Sequence, residues 1–311
     1  MNEDPARRYR KYFEQLRRLR QFMPWVPGYF FVAANLARLN SPVRHERAQY
    51  EAAWRRLGHG DLRRKWARFL QRDGVKNAAN FLGAAELSSG LPVAIEEDDP
   101  QGVLAKARNQ GTLFLTYHHQ FAYLFCTVLG HLGVRLNALT MDPALGSLHS
   151  LLPEFGPDIF GGSERHFRGG RYIFVNPANP RSHLLPALRS LLRGTSIVSA
   201  NDFDNPFAQF ESHASSLMGA VIQSPVGVIP YAIQHRVPIA VGYLDWQSGN
   251  RFKIFLRYLK MPDEDLSLAE VFTRYMAHLE DIAVRCPEIW EGVVGLKESP
   301  YRRPSTTNGQ P

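Results

Sequence analysis

The spacing of apolar and polar residues along this chain changes character near residue 92, and the densest apolar block lies beyond that point. Gly111 opens it, and residues 112–117 (Thr-Leu-Phe-Leu-Thr-Tyr) form a continuous β-branched and aromatic run. Such a run predicts a strand buried on both faces of a parallel sheet. His118 and His119 follow at once. Phe121, Leu124, Phe125 and Val128 then recur at spacings of three and four, which is one apolar helix face, and Gly130 and Gly133 close it. The unit is strand, short turn, helix, with a histidine at the carboxyl end of the strand, where open α/β sheets place ligands.

The same kind of block repeats downstream. Short apolar runs predict strands over 136–139, 172–175, 195–200 and 237–243, with an added edge strand over 252–259. Helical spacing predicts helices over 144–152, 184–193 and 226–234. Residues 92–95 start the sheet-forming part, and Asp99-Pro100 predicts a helix start, with Asp as N-cap and Pro in the first turn. This alternation argues for an α/β fold, a mostly parallel sheet covered by helices. Gly161-Gly162 and Gly169-Gly170 bracket a loop expected to be flexible.

Residues 1–91 read instead as a helical extension. Tyr9, Tyr12, Phe13, Leu16 and Leu19 share one face, and Arg7, Arg8, Arg10, Lys11, Arg17, Arg18 and Arg20 fill much of the rest. A basic amphipathic helix of this kind either lies on an anionic membrane or packs its apolar face on a domain. Residues 24–28 break it. Residues 43–57 predict another helix, Asp61 an N-cap for a helix over 62–71, Asp73-Gly74 a turn, and 75–85 a further helix. The division is thus 1–91 helical, 92–301 α/β, and 302–311 a polar tail expected to be disordered.

The chain has 311 residues, a formal net charge of +8 and a pI of about 9.6. That surplus points to an anionic partner. Arginine and aromatic residues mix over 63–69 as in nucleic-acid binders, but the aromatics fit an apolar helix face. A solvated basic face, with no nucleic-acid partner, is the expectation. Two cysteines, Cys126 and Cys286, make no disulfide framework, which favours a reducing cytoplasm. The basic N-terminus lacks the apolar run of a signal peptide. The stretch 22–39 is too interrupted to span a membrane, which needs roughly 20 mostly apolar residues.

His118 followed by Tyr123 resembles the His-x4-acid motif of the lysophospholipid acyltransferase superfamily, with Tyr123 where that family carries Asp or Glu. The similarity runs from about Val93 to Lys297 and is nearest to the bacterial lipid A lauroyl/myristoyl acyltransferase branch. Val93-Ala94-Ile95 resembles the lead-in to its histidine. Residues 191–202 resemble its helix, Gly, strand, Asp block, and residues 227–241 its helix of small residues and following strand. Cys286-Pro287-Glu288-Ile289-Trp290 is similar to its C-terminal Pro-Glu-x-Trp element. Met141-Asp142-Pro143 stands where the lipid A branch usually has an Arg, which argues against a phosphorylated sugar acceptor.

The resemblance implies a glycerolipid acyltransferase-like fold and transfer of an acyl group from acyl carrier protein or acyl-CoA to a hydroxyl or amine. It implies no metal or nucleotide cofactor, and a cytoplasmic place or a peripheral one on the inner membrane. His118 is the implied general base. The helix start after it is expected to keep the ring neutral and to offer N–H groups to an oxyanion. Tyr123 can hydrogen-bond the ring but carries no charge, so a carboxylate from elsewhere is expected. Asp202 and Asp204 at the end of a neighbouring strand are the candidates, either as catalytic groups or as turn residues beside Asn201 and Asn205. Asp142 is a weaker one. His119 is a substrate-binding candidate with its ring expected to point the other way. Arg165, Arg168 and Arg171 are candidates for a phosphopantetheine or CoA phosphate, or a solvated loop. His118, His119, His131 and His149 lack a metal-ligand spacing. The rival functions are a thioesterase, an inactive binder of acyl chains or carrier protein, and a basic scaffold on nucleic acid or membrane.

Overall fold

The computed structural model describes residues 5–23, 25–81, 92–141, 151–176, 179–202 and 211–295. Four helices lead the chain: α1 (Pro5–Phe22), α2 (Val26–Asn40), α3 (Arg47–Arg56) and α4 (Leu62–Ala79). Then come β1 (Ala94–Asp98), α5 (Val103–Ala107), β2 (Leu113–Thr116), α6 (Ala122–His131), β3 (Leu136–Met141), α7 (Leu152–Gly156), α8 (Gly162–Glu164), β4 (Tyr172–Val175), α9 (Pro180–Leu192) and β5 (Ser196–Ala200). A hairpin of β6 (Ser212–Leu217) and β7 (Ala220–Pro225) precedes α10 (Ile229–Gln234), β8 (Ile239–Ser248), β9 (Arg251–Lys260) and α11 (Leu268–Arg285).

Seven strands form one sheet in the order β1-β9-β8-β2-β5-β3-β4, and β6-β7 stand apart. Among the described residues of the sheet only β8 and β9 pair antiparallel. The fold is therefore mixed α/β with a mostly parallel sheet. β2 lies at its centre between β8 and β5, and all four of its residues are buried. This is why its sequence is continuously apolar rather than alternating.

Alternate strand residues feed two cores. Phe114, Val198 and Ala240 face the cluster made with α1, α2 and α6. Leu113, Leu115, Ile197 and Val241 face the cluster made with α3, α4, α10 and α11. The helical N-terminus shares these cores with the sheet: Phe30 of α2 meets Phe252 of β9 edge-on, as does Phe121. The apolar face of α1, with Tyr12, Phe13 and Leu16, is buried in the same cluster, so of its two expected roles that face serves packing.

Several sequence expectations change. Asp73-Gly74 is no turn, because α4 runs through it. Gly74 is where α2 crosses α4: a Cβ there would come within 2.4 Å of the Ala33 carbonyl oxygen. The absence of a side chain permits the close approach and outweighs the helix cost of glycine. Asp61 does not cap α4; it is left-handed and makes no side-chain cap bond. Asp99 does cap, but from further upstream, accepting from the amides of Val103 and Leu104 at 2.8 Å each. The strand at 252–259 is not the sheet edge, since β1 adds parallel outside β9. The hairpin and α11 went unread. The loop after Gly161 is partly helical, as α8. The predicted helix 144–152, the end of 75–85, Asp142, Asp204 and the tail 302–311 fall wholly or largely outside the described residues.

Candidate active site

Parallel pairing decides which side chains meet. Thr116 of β2 is in register with Ala200 of β5. Two residues further along each chain stand His118 and Asp202, side by side at the carboxyl edge of the sheet, the edge at which open α/β folds bind ligands. His118 Nδ1 and Asp202 Oδ1 are 2.6 Å apart. The His118 backbone N–H also donates to the carboxylate, at 2.9 and 3.1 Å to its two oxygens. The Asp202 side chain is wholly buried while that of His118 is 48% exposed. The carboxylate is thus sheltered and the imidazole faces outward.

A third donor reaches the acid from the far end of the chain. Trp290 Nε1–H donates to Asp202 Oδ2 at 2.7 Å. Trp290 is held there because its segment adds to the histidine turn: His119 and Trp290 form an antiparallel bridge, Glu291 N–H donates to the His118 carbonyl at 2.8 Å, and Gln120 N–H to that of Ile289 at 3.2 Å. Glu288, buried in that segment, lies 3.8 Å from Lys65 and 3.6 Å from Arg68. Of the basic face of α4, Arg63, Arg64 and Arg68 are exposed, as expected of a solvated face, while Lys65 and Arg68 also lie near this buried acid.

The strand ends are fixed by one hydroxyl. Tyr275 Oη of α11 donates to the Thr116 carbonyl at 2.5 Å and accepts from Asn201 N–H at 3.3 Å. Asn201 is tied further by its amide to the Pro225 carbonyl at 2.6 Å and by Ser199 Oγ–H at 2.8 Å. Of the two readings of Asp202, turn residue or partner of the histidine, its side chain takes the second, bonding the imidazole.

Electrostatics follow from this geometry. Burial alone would push Asp202 up, but the His118 charge and the donors from His118 and Trp290 hold it below the ordinary carboxylate range. Burial alone would lower His118, but the Asp202 charge and hydrogen bond carry it above the usual histidine value. The expectation of a ring kept neutral by a helix start is corrected: α6 begins only at Ala122, and the adjacent carboxylate dominates. The expected oxyanion donors are also largely engaged. The amide of His118 is bonded to Asp202, those of Gln120 and Ala122 to carbonyls, and that of Phe121 to His119 Nδ1 at 3.2 Å.

The other sequence candidates separate. Tyr123 packs its ring edge-on against Phe160 and Tyr172 and pairs its hydroxyl with Thr140, toward β3; the acid that orients His118 is Asp202. His119 is buried, with its ring edge-on to Phe125 and Tyr243, and burial drops it to about 3. It sits as a buried, neutral ring among core side chains. Arg165, Arg168 and Arg171 lie before β4, whose Tyr172 is in register with Ala138; they stand at the amino edge of the sheet, opposite the His118–Asp202 pair. Burial pushes the Cys126 thiol up to about 12, consistent with a small core residue.

Among the described residues no group of three or more His, Cys, Asp or Glu is arranged to hold a metal, and no helix is long and apolar enough to cross a membrane. No protein-family model matches the chain, and no curated protein matches it.

The sign of the pH dependence is fixed by the two shifts. A lowered Asp202 contributes stability above the unfolded carboxylate value, about 4, and loses it as pH falls through the folded value. A raised His118 contributes below the unfolded histidine value, about 6.5, and loses it as pH rises through the folded value. The stability difference between wild type and Asp202→Asn, from denaturant titrations, is therefore expected to be largest between about pH 4 and 6.5 and to shrink on the alkaline side. A difference that grew steadily above neutral pH would contradict the pairing.

Proposed function

We propose that the chain is an acyltransferase, moving an acyl group from a thioester donor, acyl-CoA or acyl carrier protein, to a hydroxyl or amine. His118 is the general base and Asp202 its orienting carboxylate. The observation that carries this reading is the 2.6 Å contact between a half-exposed imidazole and a buried carboxylate at the carboxyl edge of the sheet. Asp202 on Nδ1 directs Nε2 toward substrate. Nε2 takes the acceptor's proton as the acceptor oxygen or nitrogen attacks the thioester carbonyl, and the thiolate leaves as the carbon–sulfur bond breaks. The proton on His118 then goes to the departing sulfur. Asp202 stabilises the imidazolium between these steps, as the aspartate of a serine-protease triad does.

The resemblance to the lysophospholipid acyltransferase superfamily supports the same reading, with its motif acid supplied here by Asp202 instead of residue 123. An acid in place argues against an inactive binding member. Water as acceptor would make the same dyad a thioesterase, and the assay separates the two. With acyl-CoA or acyl carrier protein as donor, thiol release that depends on added acceptor is expected, His118→Ala abolishing it with an unchanged circular dichroism spectrum. Asp202→Asn is expected to cost between about 10² and 10⁴ in turnover, the upper figure being that of the protease triad. Unchanged turnover in His118→Ala would overturn the assignment, and release without acceptor would make the protein a hydrolase.

Peripheral contact with an anionic membrane is part of this reading, in the cytoplasm at the inner membrane surface. It is supported by exposed Phe22 and Trp25 at the α1–α2 corner and Phe31 on α2, and by exposed Arg17 and Arg18 near the end of α1. Exposed aromatics beside arginines suit an anionic lipid interface. Sedimentation with vesicles containing phosphatidylglycerol is expected and should fall when Phe22, Trp25 and Phe31 are all changed to Ser. Equal sedimentation of that variant would remove this surface from the reading.

A further inference from the structure

A cavity of about 540 Å³ opens among α1, the end of α2 and the 3₁₀ turn Pro42–Glu46. That volume is in the range of small-molecule sites. Its charge is one-sided: Arg8, Lys11, Arg44 and Arg47 line it with His45, and among the described residues none of its lining is acidic. Arg47 is shared with Glu51 at 2.7 Å, and the charge of Glu46 acts on Arg8. Arg44, by contrast, donates to the Leu39 carbonyl, a neutral group. A cavity walled by cations with a neutral partner for one of them selects for anions.

Two buried polar atoms at this cavity lack a protein partner. The Tyr12 hydroxyl belongs to a residue only 1% exposed, and both it and Arg8 Nε have no hydrogen-bond partner among the described residues. Buried polar groups are normally satisfied, and each left open needs an explanation. A ligand with acceptor oxygens would satisfy both. Trp66 and Tyr12 add aromatic wall to the cationic one, a combination suited to a phosphorylated nucleoside.

The cavity is also joined to the dyad by an unbroken series of contacts. Ser41, in its lining, donates to Asp73 Oδ2 at 2.6 Å. Asp73 Oδ1 lies 3.1 Å from Lys76 Nζ, and Lys76 Nζ lies 2.6 Å from Glu291 Oε1. The Glu291 N–H then donates to the His118 carbonyl. A ligand anchored here is therefore within a few side chains of the proposed base.

We propose that this cavity binds the adenosine phosphate end of a CoA thioester, with the pantetheine arm running over the Lys76–Glu291 pair toward His118. It takes the role that the sequence suggested for Arg165, Arg168 and Arg171, which the fold puts at the other edge of the sheet. The assignment of the ligand rests on the acyl-transfer reading of His118. The binding test does not.

Calorimetric titration of the full chain with free CoA is the test. Saturable binding that weakens as salt rises is expected. Arg8→Ala with Arg44→Ala should weaken it at least tenfold, and Arg165→Ala, at the opposite edge of the sheet, should leave it unchanged. If the double variant fails to fold, Tyr12→Phe combined with the wild-type salt dependence carries the test, with weaker binding expected. Adenosine 3′,5′-bisphosphate should compete for the same site. CoA binding that is absent, or that is indifferent to salt and to these variants, would overturn the proposal while leaving His118 to be judged by thiol release. Intact CoA binding with no acyl transfer from any donor would count against the His118 reading and leave the cavity standing.

Discussion

A carboxylate with none of its side chain in contact with solvent is the constraint on which the rest of this structure turns. Removing a charge from water costs several kcal/mol unless hydrogen bonds and an opposite charge replace the lost hydration. Asp202 obtains that replacement from His118, through backbone and ring, and from Trp290. These donors are distant in sequence and meet only when the sheet, the histidine turn and the C-terminal segment are all in place. The same arrangement that makes the buried acid tolerable gives the outward-facing imidazole its orientation and its raised basicity.

The scaffold can be followed outward from that point. Tyr275 ties the carboxyl ends of β2 and β5 through one hydroxyl, so α11 sets the separation of the two strands that carry the pair. The segment holding Trp290 is in turn held by Lys65, Arg68 and Lys76 of α4. The helical N-terminus is thus tied to the site through ion pairs as well as through the shared apolar core. Lys65, Arg68, Arg72 and Lys76 of α4 all have acidic partners.

The central architecture was legible because its physics is local. A short, β-branched and aromatic apolar run opened by glycine fits a strand buried on two faces, and the three-and-four spacing after it fits a helix with one apolar face; 112–117 and α6 follow from this. His118 was readable for the same reason, being the first polar residue beyond a buried strand. Asp202 was readable as a strand-end acid, but its pairing with His118 depends on β2 and β5 being neighbours in a particular register, and no residue states that. Tyr123, offered as a partner of the ring, instead packs on Phe160 and Tyr172, because spacing along a helix does not settle which side chain meets the turn; the carboxylate comes across the sheet, as the lack of an acid at 123 implies. Trp290 stood within a noted C-terminal block, yet its indole donor has meaning only once Asp202 is known to be buried. Asp73-Gly74 looked like a turn because glycine's other use, letting two helices touch, leaves no local mark. α11 went unread although its apolar spacing (Val271, Phe272, Tyr275, Met276, Leu279) and its capping box, Ser267 with Glu270, were both present.

The central claim is that Asp202 fixes the imidazole of His118 through Nδ1. Nitrogen-resolved NMR of the His118 ring reports this directly. In the neutral state Nδ1 should carry the proton, with that proton strongly downfield because it is held against a carboxylate, and the signal should vanish in Asp202→Asn. A ring protonated on Nε2 in the neutral state, or a downfield proton that survives loss of the carboxylate, would contradict it.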